Sequence, residues 1–459
     1  MSAPQGSGVQ FSIATDGVTI TGNGTASNPL RIVNVSYLIV SQSMTVSENL
    51  NVNTIEFVNS GLTLTLNGNV NVANISGING NTISVGSGYT LVITNQINIS
   101  ITISGSGTVV IPSNATTTIS APASISASLT VNGTLTISAT STISGSLTIN
   151  GSLTVGANTT FSGSAISGSG TLTVNSGYTL TVNANTTLSI PTVTGSGTLS
   201  VGSGYTLTIG ANTTFTISTV SGSGTLSIGS GYTLTIGASI TFSISTVSGS
   251  GTLSIGSGYT LTIGANSTFS VSTVSGSGKI SVSSGYTLTI GANMTLSVPT
   301  ITGAGNLAIA ASTTVTIPSG ATVTWSVGSF SSTSYTMNYS IPSTATLTVN
   351  GTLIVYGAIS TSFSNGTTSD GFSSTSPALF GNSPTVNGSG IAIFTASNSR
   401  SGGNALTLSS TSLSAGSNSS SNAEGTDTAG ALGYVLTSLE GSAVGYYLLE
   451  EYSNNGYYY

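Results

Sequence analysis

Gly195-Ser-Gly-Thr-Leu-Ser-Val-Gly-Ser-Gly-Tyr-Thr-Leu-Thr-Ile-Gly-Ala-Asn-Thr-Thr-Phe-Thr-Ile-Ser-Thr-Val-Ser221 is a phrase that begins again at Gly222. Its tyrosine, Tyr205, has counterparts at Tyr178, Tyr232, Tyr259 and Tyr286, spaced by the same twenty-seven residues and each inside a near-copy of SGYTLT. The G-S-G phrase keeps that beat at Gly168, Gly195, Gly222, Gly249 and Gly276, then varies to G-A-G at Gly303. A fixed period of about 20 to 50 residues is the signature of stacked repeats, each burying its apolar face on the next.

Inside the phrase, apolar and hydroxyl side chains alternate: Leu207-Thr208-Ile209, Leu234-Thr235-Ile236, Leu261-Thr262-Ile263. Period-two alternation of β-formers predicts half-buried strands. One copy reads as three strands, 198–201, 205–209 and 214–217, with Val220 just beyond. Turns at G-S-G, G-S-G-Y and G-A-N separate them. Three strands and three corners per period predict an all-β, three-sided, β-helix-like solenoid with one coil per repeat. At the strand spacing of about 4.8 Å, five such coils would stack to roughly 25 Å. An intertwined trimeric β-fibre, with each face drawn from a different chain, fits the same pattern. Either form needs covers over its unpaired ends, and the small irregular terminal domains are the candidates.

Composition narrows the function classes. Charged residues are 3% of the 459-residue chain, against roughly a quarter in ordinary domains. Basic residues number three, Arg31, Lys279 and Arg400, too few to neutralise a run of phosphates, so nucleic acid is not an expected partner. There is no His and no Cys, hence no thiolate metal site and no disulfide framework, and no cofactor is expected. No run of about 18 apolar residues suggests a membrane span. The opening MSAPQGSGVQFSIATDG has neither the basic nor the apolar region of an export signal. A virion component released by its host, or a precursor already trimmed, would account for that. With so few ionisable groups, proton-linked loss of stability should be small, which hints at an acidic extracellular habitat. We expect a melting temperature that barely moves between about pH 2 and about pH 8. A steep loss in acid, followed by thermal denaturation, would overturn that expectation.

The chain reads as residues 1–35, a first unit; 36–60, a neck carrying Glu48 and Glu56; 61–360, a shaft, regular over about 166–305; and 361–459, a C-terminal domain. Within the shaft, Leu129/Val131, Leu135/Ile137, Leu147/Ile149 and Leu153/Val155 recur at six residues or multiples of six. That is a shorter side of the same kind of rung. The last segment is loop-rich and holds six of the nine acids. A helix is expected only around 427–450.

Polysaccharide cleavage needs two carboxyl groups flanking one bond. The acids are Asp16, Glu48, Glu56, Asp370, Glu424, Asp427, Glu440, Glu450 and Glu451, with none between 57 and 369. The shaft therefore has no acid pair. Glu424 and Asp427 read more simply as solvated loop charges than as a hydrolytic pair, and no enzyme is expected. Lys279 follows glycines, but Thr273 and Ile280 break the phosphate-loop pattern. Thr179/Thr181, Thr206/Thr208, Thr233/Thr235, Thr260/Thr262 and Thr287/Thr289 would align as T-x-T rows on one face, an arrangement that resembles ice-binding solenoids. Thr is also simply a good outward strand residue, the reading we favour. The repeated tyrosine reads as a corner piece rather than a sugar-binding strip. N-x-[ST] triplets occur at Asn34, Asn74, Asn98, Asn114, Asn158, Asn185, Asn212, Asn266, Asn293, Asn338, Asn365 and Asn387 among others. In a chain so rich in Asn, Ser and Thr, chance supplies nearly as many.

The head segment Asp16-Gly-Val-Thr-Ile-Thr-Gly-Asn-Gly-Thr-Ala-Ser-Asn-Pro-Leu-Arg31 resembles a phrase of virus tail-fibre and virion spike proteins. There it lies near the virion. The match covers about 16 of 459 residues and rests on Asp16, Gly17, Gly22, Gly24, Pro29, Leu30 and Arg31. The low-charge remainder is similar in composition to surface and viral proteins of thermoacidophilic archaea. The resemblance implies a homotrimeric attachment fibre on the virion surface, anchored to other virion proteins by residues 1–35. Its distal tip would bind a host glycan or glycoprotein, with Tyr446, Tyr447, Tyr452, Tyr457, Tyr458 and Tyr459 as the receptor-contact candidates. An exported cellular adhesin or filament subunit is the alternative.

Overall fold

The computed structural model describes residues 19–21, 31–330, 335–360, 378–379, 384–396, 407–409, 412–414, 430–437 and 445–452. They form strands, turns and bends, and no helix is found among them. The chain divides into two compact units, Met1–Gly224 and Thr225–Tyr459. In each, parallel strands of one chain stack as a β-solenoid, every side of the coil being supplied by that chain. The single-chain solenoid is thus the architecture, and not the intertwined form.

Coil length is read from register. In the first unit Leu129 lies beside Leu147, Leu135 beside Leu153 and Ser141 beside Thr159, a constant step of eighteen. Two further strands lie between any such pair, so three sides of six residues close one coil, as the six-residue spacing predicts.

The stretch with the long repeat departs from one coil per repeat. In the second unit Thr233 lies beside Thr252 and Ile240 beside Leu261, steps of nineteen and twenty-one. Thr246 lies beside Thr268 and Thr252 beside Thr273, steps of twenty-two and twenty-one. The first unit repeats this pattern from Thr179↔Thr198 to Thr198↔Thr219. All of these steps fall short of the sequence period, and in none of the pairings does a strand lie beside its own copy. The repeat has four sides, because the Thr-Val-Ser segment that reads in sequence as the end of a strand (Thr246-Val-Ser248) forms a side of its own. A coil closes on three, so each copy begins one side further round.

Two further expectations change with this. The G-S-G phrase separates strands at Gly168 and Gly276, as expected, but not in the copies between: Thr192–Val201 and Ile240–Ile255 run through Gly195 and Gly249. These glycines have φ of +111° and +109° and coincide with register shifts, so they bend a continuous ladder. The T-x-T phrases also do not align on one face. Thr233 stacks with Thr252, Thr260 with Lys279, and Thr289 with Thr268, three different sides.

The offset has a packing consequence. Phe215, Phe242 and Phe269 are buried, but Phe215 lies beside Val193, Phe242 beside Ile263, and Phe269 beside Val247 and Ile290. One coil per repeat would place ring on ring at strand spacing, crowding one side and starving two. The four-sided phrase spreads bulk round the coil, which is how a close-packed interior is kept. The inward Leu, Ile and Val positions are almost wholly buried, each contributing about 1.5–3 kcal/mol of transfer free energy.

At the ends the pattern loosens. The ladder reaches back into the expected neck, where Arg31–Val40 pairs in parallel with Leu50–Phe57. Thr19–Thr21 lies antiparallel to Arg31–Val40. Beyond Gly305 coils lengthen: Thr314 lies beside Thr346, and Thr346 beside Thr385, steps of thirty-two and thirty-nine. The helix expected around 427–450 is replaced, in its described residues, by strands. Gly430–Thr437 lies antiparallel to Ile391–Ala396 and to Gly445–Tyr452. Short apolar runs with Gly, Tyr and Val fit strand as well as helix, and here the ladder decides.

Candidate functional site

The corners are where this fold holds polar chemistry, and each kind of corner seats on a different kind. The G-A-N corner caps the corner of the next coil: Asn266 Oδ1 accepts from Thr287 N, just after Tyr286, at 2.9 Å, and Asn293 Oδ1 from Thr314 N, where Thr313 stands in the tyrosine's place, at 2.8 Å. Where the phrase has Ser239 instead, its Oγ accepts from Thr260 N at 3.2 Å. The G-S-G bend sits on the tyrosine corner, close over Ile228 and Tyr232 carbonyls at Gly249 and Gly251. The residue after the asparagine reaches back to the corner just before the Thr-Val side: Ser267 Oγ donates to Ile244 O at 2.6 Å, and Thr213 Oγ1 to Ile190 O at 2.9 Å. Buried hydroxyls are thereby satisfied, as a low-dielectric interior requires.

The tyrosines belong to this framework. Tyr259 N donates to Gly256 O at 3.2 Å, and its carbonyl accepts from Lys279 N at 3.0 Å. Its ring lies over Gly256, where a Cβ would come within 2.9 Å of Cδ2. Tyr232 is 40% exposed, and Tyr259 and Tyr286 are 39% exposed, so about three-fifths of each is covered by its own corner. Because successive copies fall on successive sides, these rings do not form one strip. That arrangement favours the corner role.

Hydroxyl ranks do form, though from unlike phrases. Thr233, Thr252, Thr273 and Thr295 follow one another along one side of the second unit. All four are half-buried, so neighbouring side chains shield much of this rank.

Of the proposed anchor residues, Arg31 is described, at the start of its strand opposite Thr21. Asp16, Gly17, Gly22, Gly24, Pro29 and Leu30 lie outside the described residues. At the other end, Tyr446 pairs with Leu436, Tyr447 with Val435 and Tyr452 with Gly430 on the last described strand, which also carries Glu450 and Glu451. Tyr457, Tyr458 and Tyr459 lie outside the described residues, as do Asp370, Glu424, Asp427 and Glu440. Glu56 stacks between Ile39 and Ser76. Among the described residues no three His, Cys, Asp or Glu gather in a metal-holding group, and no helix is long and apolar enough to cross a membrane.

One feature escaped sequence reasoning. A groove of about 300 Å³ lies along the first coils, lined by Val35, Val52 and Val72 and by Asn51, Asn53 and Asn71 among others. Asn71 Nδ2 donates to Asn51 Oδ1 at 2.6 Å. The phrases Asn51-Val-Asn53 and Asn71-Val-Ala73, twenty residues apart, are the signal that would have found it.

Comparison with protein-family models, with curated proteins and with solved structures found no match for this chain.

Proposed function

We propose that the protein is a non-enzymatic fibre or spike that attaches a virion to its host cell. Residues 1–35 would dock to other virion proteins, the coils would act as a spacer, and the segment beyond the coils would contact a surface glycan or glycoprotein. Homotrimerisation would present several weak sites together, where avidity exceeds single-site affinity by about 10²-fold or more. The observation that carries the reading is where the parallel ladder stops. In the second unit its last described coil strand, Ile391–Ala396, continues into antiparallel strands that belong to no repeat and carry Tyr446, Tyr447 and Tyr452. The coils are spent on stacking one another, which leaves the non-repeating ends for specific contacts. The head-segment resemblance supports the same assignment.

A chain ending after Ala396 should keep the strands of its coils and lose at least about tenfold in binding to host cells, the avidity argument setting the scale. Cell-binding assays beside circular dichroism check this. Unchanged binding by the shortened chain would sink the reading. Immunogold labelling of a cell envelope, and of no particle, would favour the cellular adhesin instead.

A further inference from the structure

Asn158, Asn185, Asn266 and Asn293 occupy equivalent corners, and each opens an N-x-T triplet, ending at Thr160, Thr187, Thr268 and Thr295. All four are exposed. Each is held by its amide oxygen: Oδ1 accepts from Thr179 N at 3.0 Å, Thr206 N at 2.9 Å, Thr287 N at 2.9 Å and Thr314 N at 2.8 Å, in that order. Among the described residues the Nδ2 of none of them donates a hydrogen bond. The oxygen end is anchored in the fold and the nitrogen end is left to solvent.

Other triplets of the same form are built differently. Asn150 opens Asn150-Gly-Ser152, but its Nδ2 donates to Asn132 Oδ1 at 2.8 Å. Asn338 opens Asn338-Tyr-Ser340, is half-buried, and donates from Nδ2 to Gly305 O at 3.2 Å. A bulky group on either nitrogen would displace a contact the fold uses.

We propose that Asn158, Asn185, Asn266 and Asn293 are acceptor sites for N-linked glycans. The donor is an oligosaccharide carried on a lipid diphosphate, transferred by an oligosaccharyltransferase. A bond forms between Nδ2 and the anomeric carbon, and the bond from that carbon to the phosphate oxygen breaks. The lipid diphosphate leaves, and the proton lost from the amide nitrogen goes to the transferase. The product amide keeps its oxygen, so the corner contact survives modification. The four-sided repeat then matters: Asn158 and Asn185, like Asn266 and Asn293, fall on successive sides, so in each unit the glycans would stand on two of the three sides rather than line one edge. They would hydrate the surface of a chain that has only 3% charged residues to keep it soluble. The inference needs a chain that meets the transferase, as the surface-protein reading holds, but not the attachment role itself.

The test is site-by-site occupancy. The full chain is expressed through the secretory pathway of a glycosylating host, and its peptides are deglycosylated enzymatically in ¹⁸O-water and read by mass spectrometry. Label is expected at the four corner asparagines and at least about tenfold less at Asn150 and Asn338. No label at the four, or equal label at Asn150 and Asn338, overturns the proposal. A combined Asn158→Asp, Asn185→Asp, Asn266→Asp, Asn293→Asp variant keeps a carboxylate oxygen to cap each corner. It should show native circular dichroism and a smaller glycan-dependent mobility shift; a shift equal to that of the unaltered chain also overturns the proposal. Should that variant fail to fold, the occupancy map of the unaltered chain decides alone.

Discussion

Gly249→Ala should destabilise the second unit by about 3 kcal/mol or more, among the larger effects a single methyl group can have. Two independent demands meet at this residue. Its φ is +109°, a backbone region that residues with a Cβ rarely adopt. A Cβ placed there would also lie 2.1 Å from the Ile228 carbonyl oxygen and 2.7 Å from the Ile228 nitrogen. Those atoms are backbone in the preceding coil and hold the ladder, so they cannot turn aside as a side-chain end can. Relief requires separating two coils. Gly258 supplies the control. Its φ is +79°, yet nothing lies within 4 Å of the place its methyl would take. Gly258→Ala should therefore cost only the left-handed strain, about 1 kcal/mol. Denaturant midpoints of the two variants measure the gap. Equal losses would mean that φ alone sets the demand and that close coil contact at the G-S-G bend contributes nothing.

The same bend shows where sequence reading succeeds and where it stops. Local alternation places strands well: 205–209 is the expected strand, and Thr206–Ile209 is found. The all-β solenoid follows from that alternation plus the beat. The number of sides per repeat does not. A stretch such as Ser245-Thr-Val-Ser248 has no Gly or Pro before it, so nothing local marks a corner there, although in space it forms a side beside Thr268–Ser270. Corner counting needs the partner coil, which is a non-local fact. The tyrosine, conspicuous in the sequence because it repeats, serves the corner for the same reason. Conversely, the groove at Asn51 and Asn71 is hidden because its two phrases belong to no clean repeat. At the tip, Tyr446 and Tyr447 stand out by composition alone, and a run such as Gly430-Ala-Leu-Gly-Tyr-Val-Leu-Thr437 carries no period that separates strand from helix.

A pair of deletions separates the sequence repeat from the coil. Removing 252–278 joins Gly251 to Lys279 and takes out one whole repeat. Removing 252–272 joins Gly251 to Thr273 and takes out one coil, since Thr252 stacks directly beside Thr273. Intuition from geometry favours the second, which leaves every remaining side where it was. The corner contacts favour the first. Each corner is fitted to one other kind: asparagine under tyrosine, as at Asn266 and Thr287; tyrosine under the G-S-G bend, as at Tyr232 and Gly251; the corner before the Thr-Val side under the buried hydroxyl, as at Ile244 and Ser267. Removing a whole repeat preserves that order at every level and only turns the later coils by one side. Removing a coil preserves the sides but sets unlike corners on one another at three successive corners. Thr287 N then loses its asparagine cap, Ser239 Oγ loses the amide it caps, and the Gly276–Gly278 bend loses the tyrosine corner it sits on. At about 1 kcal/mol or more for each lost contact, the one-coil deletion should be at least about 3 kcal/mol less stable than the one-repeat deletion, although it removes fewer residues. Denaturant unfolding of the two full-length deletion variants decides the matter. If the shorter deletion proves the more stable, coil closure rather than corner matching governs this solenoid, and the beat of the tyrosines would be a record of duplication with no structural instruction in it.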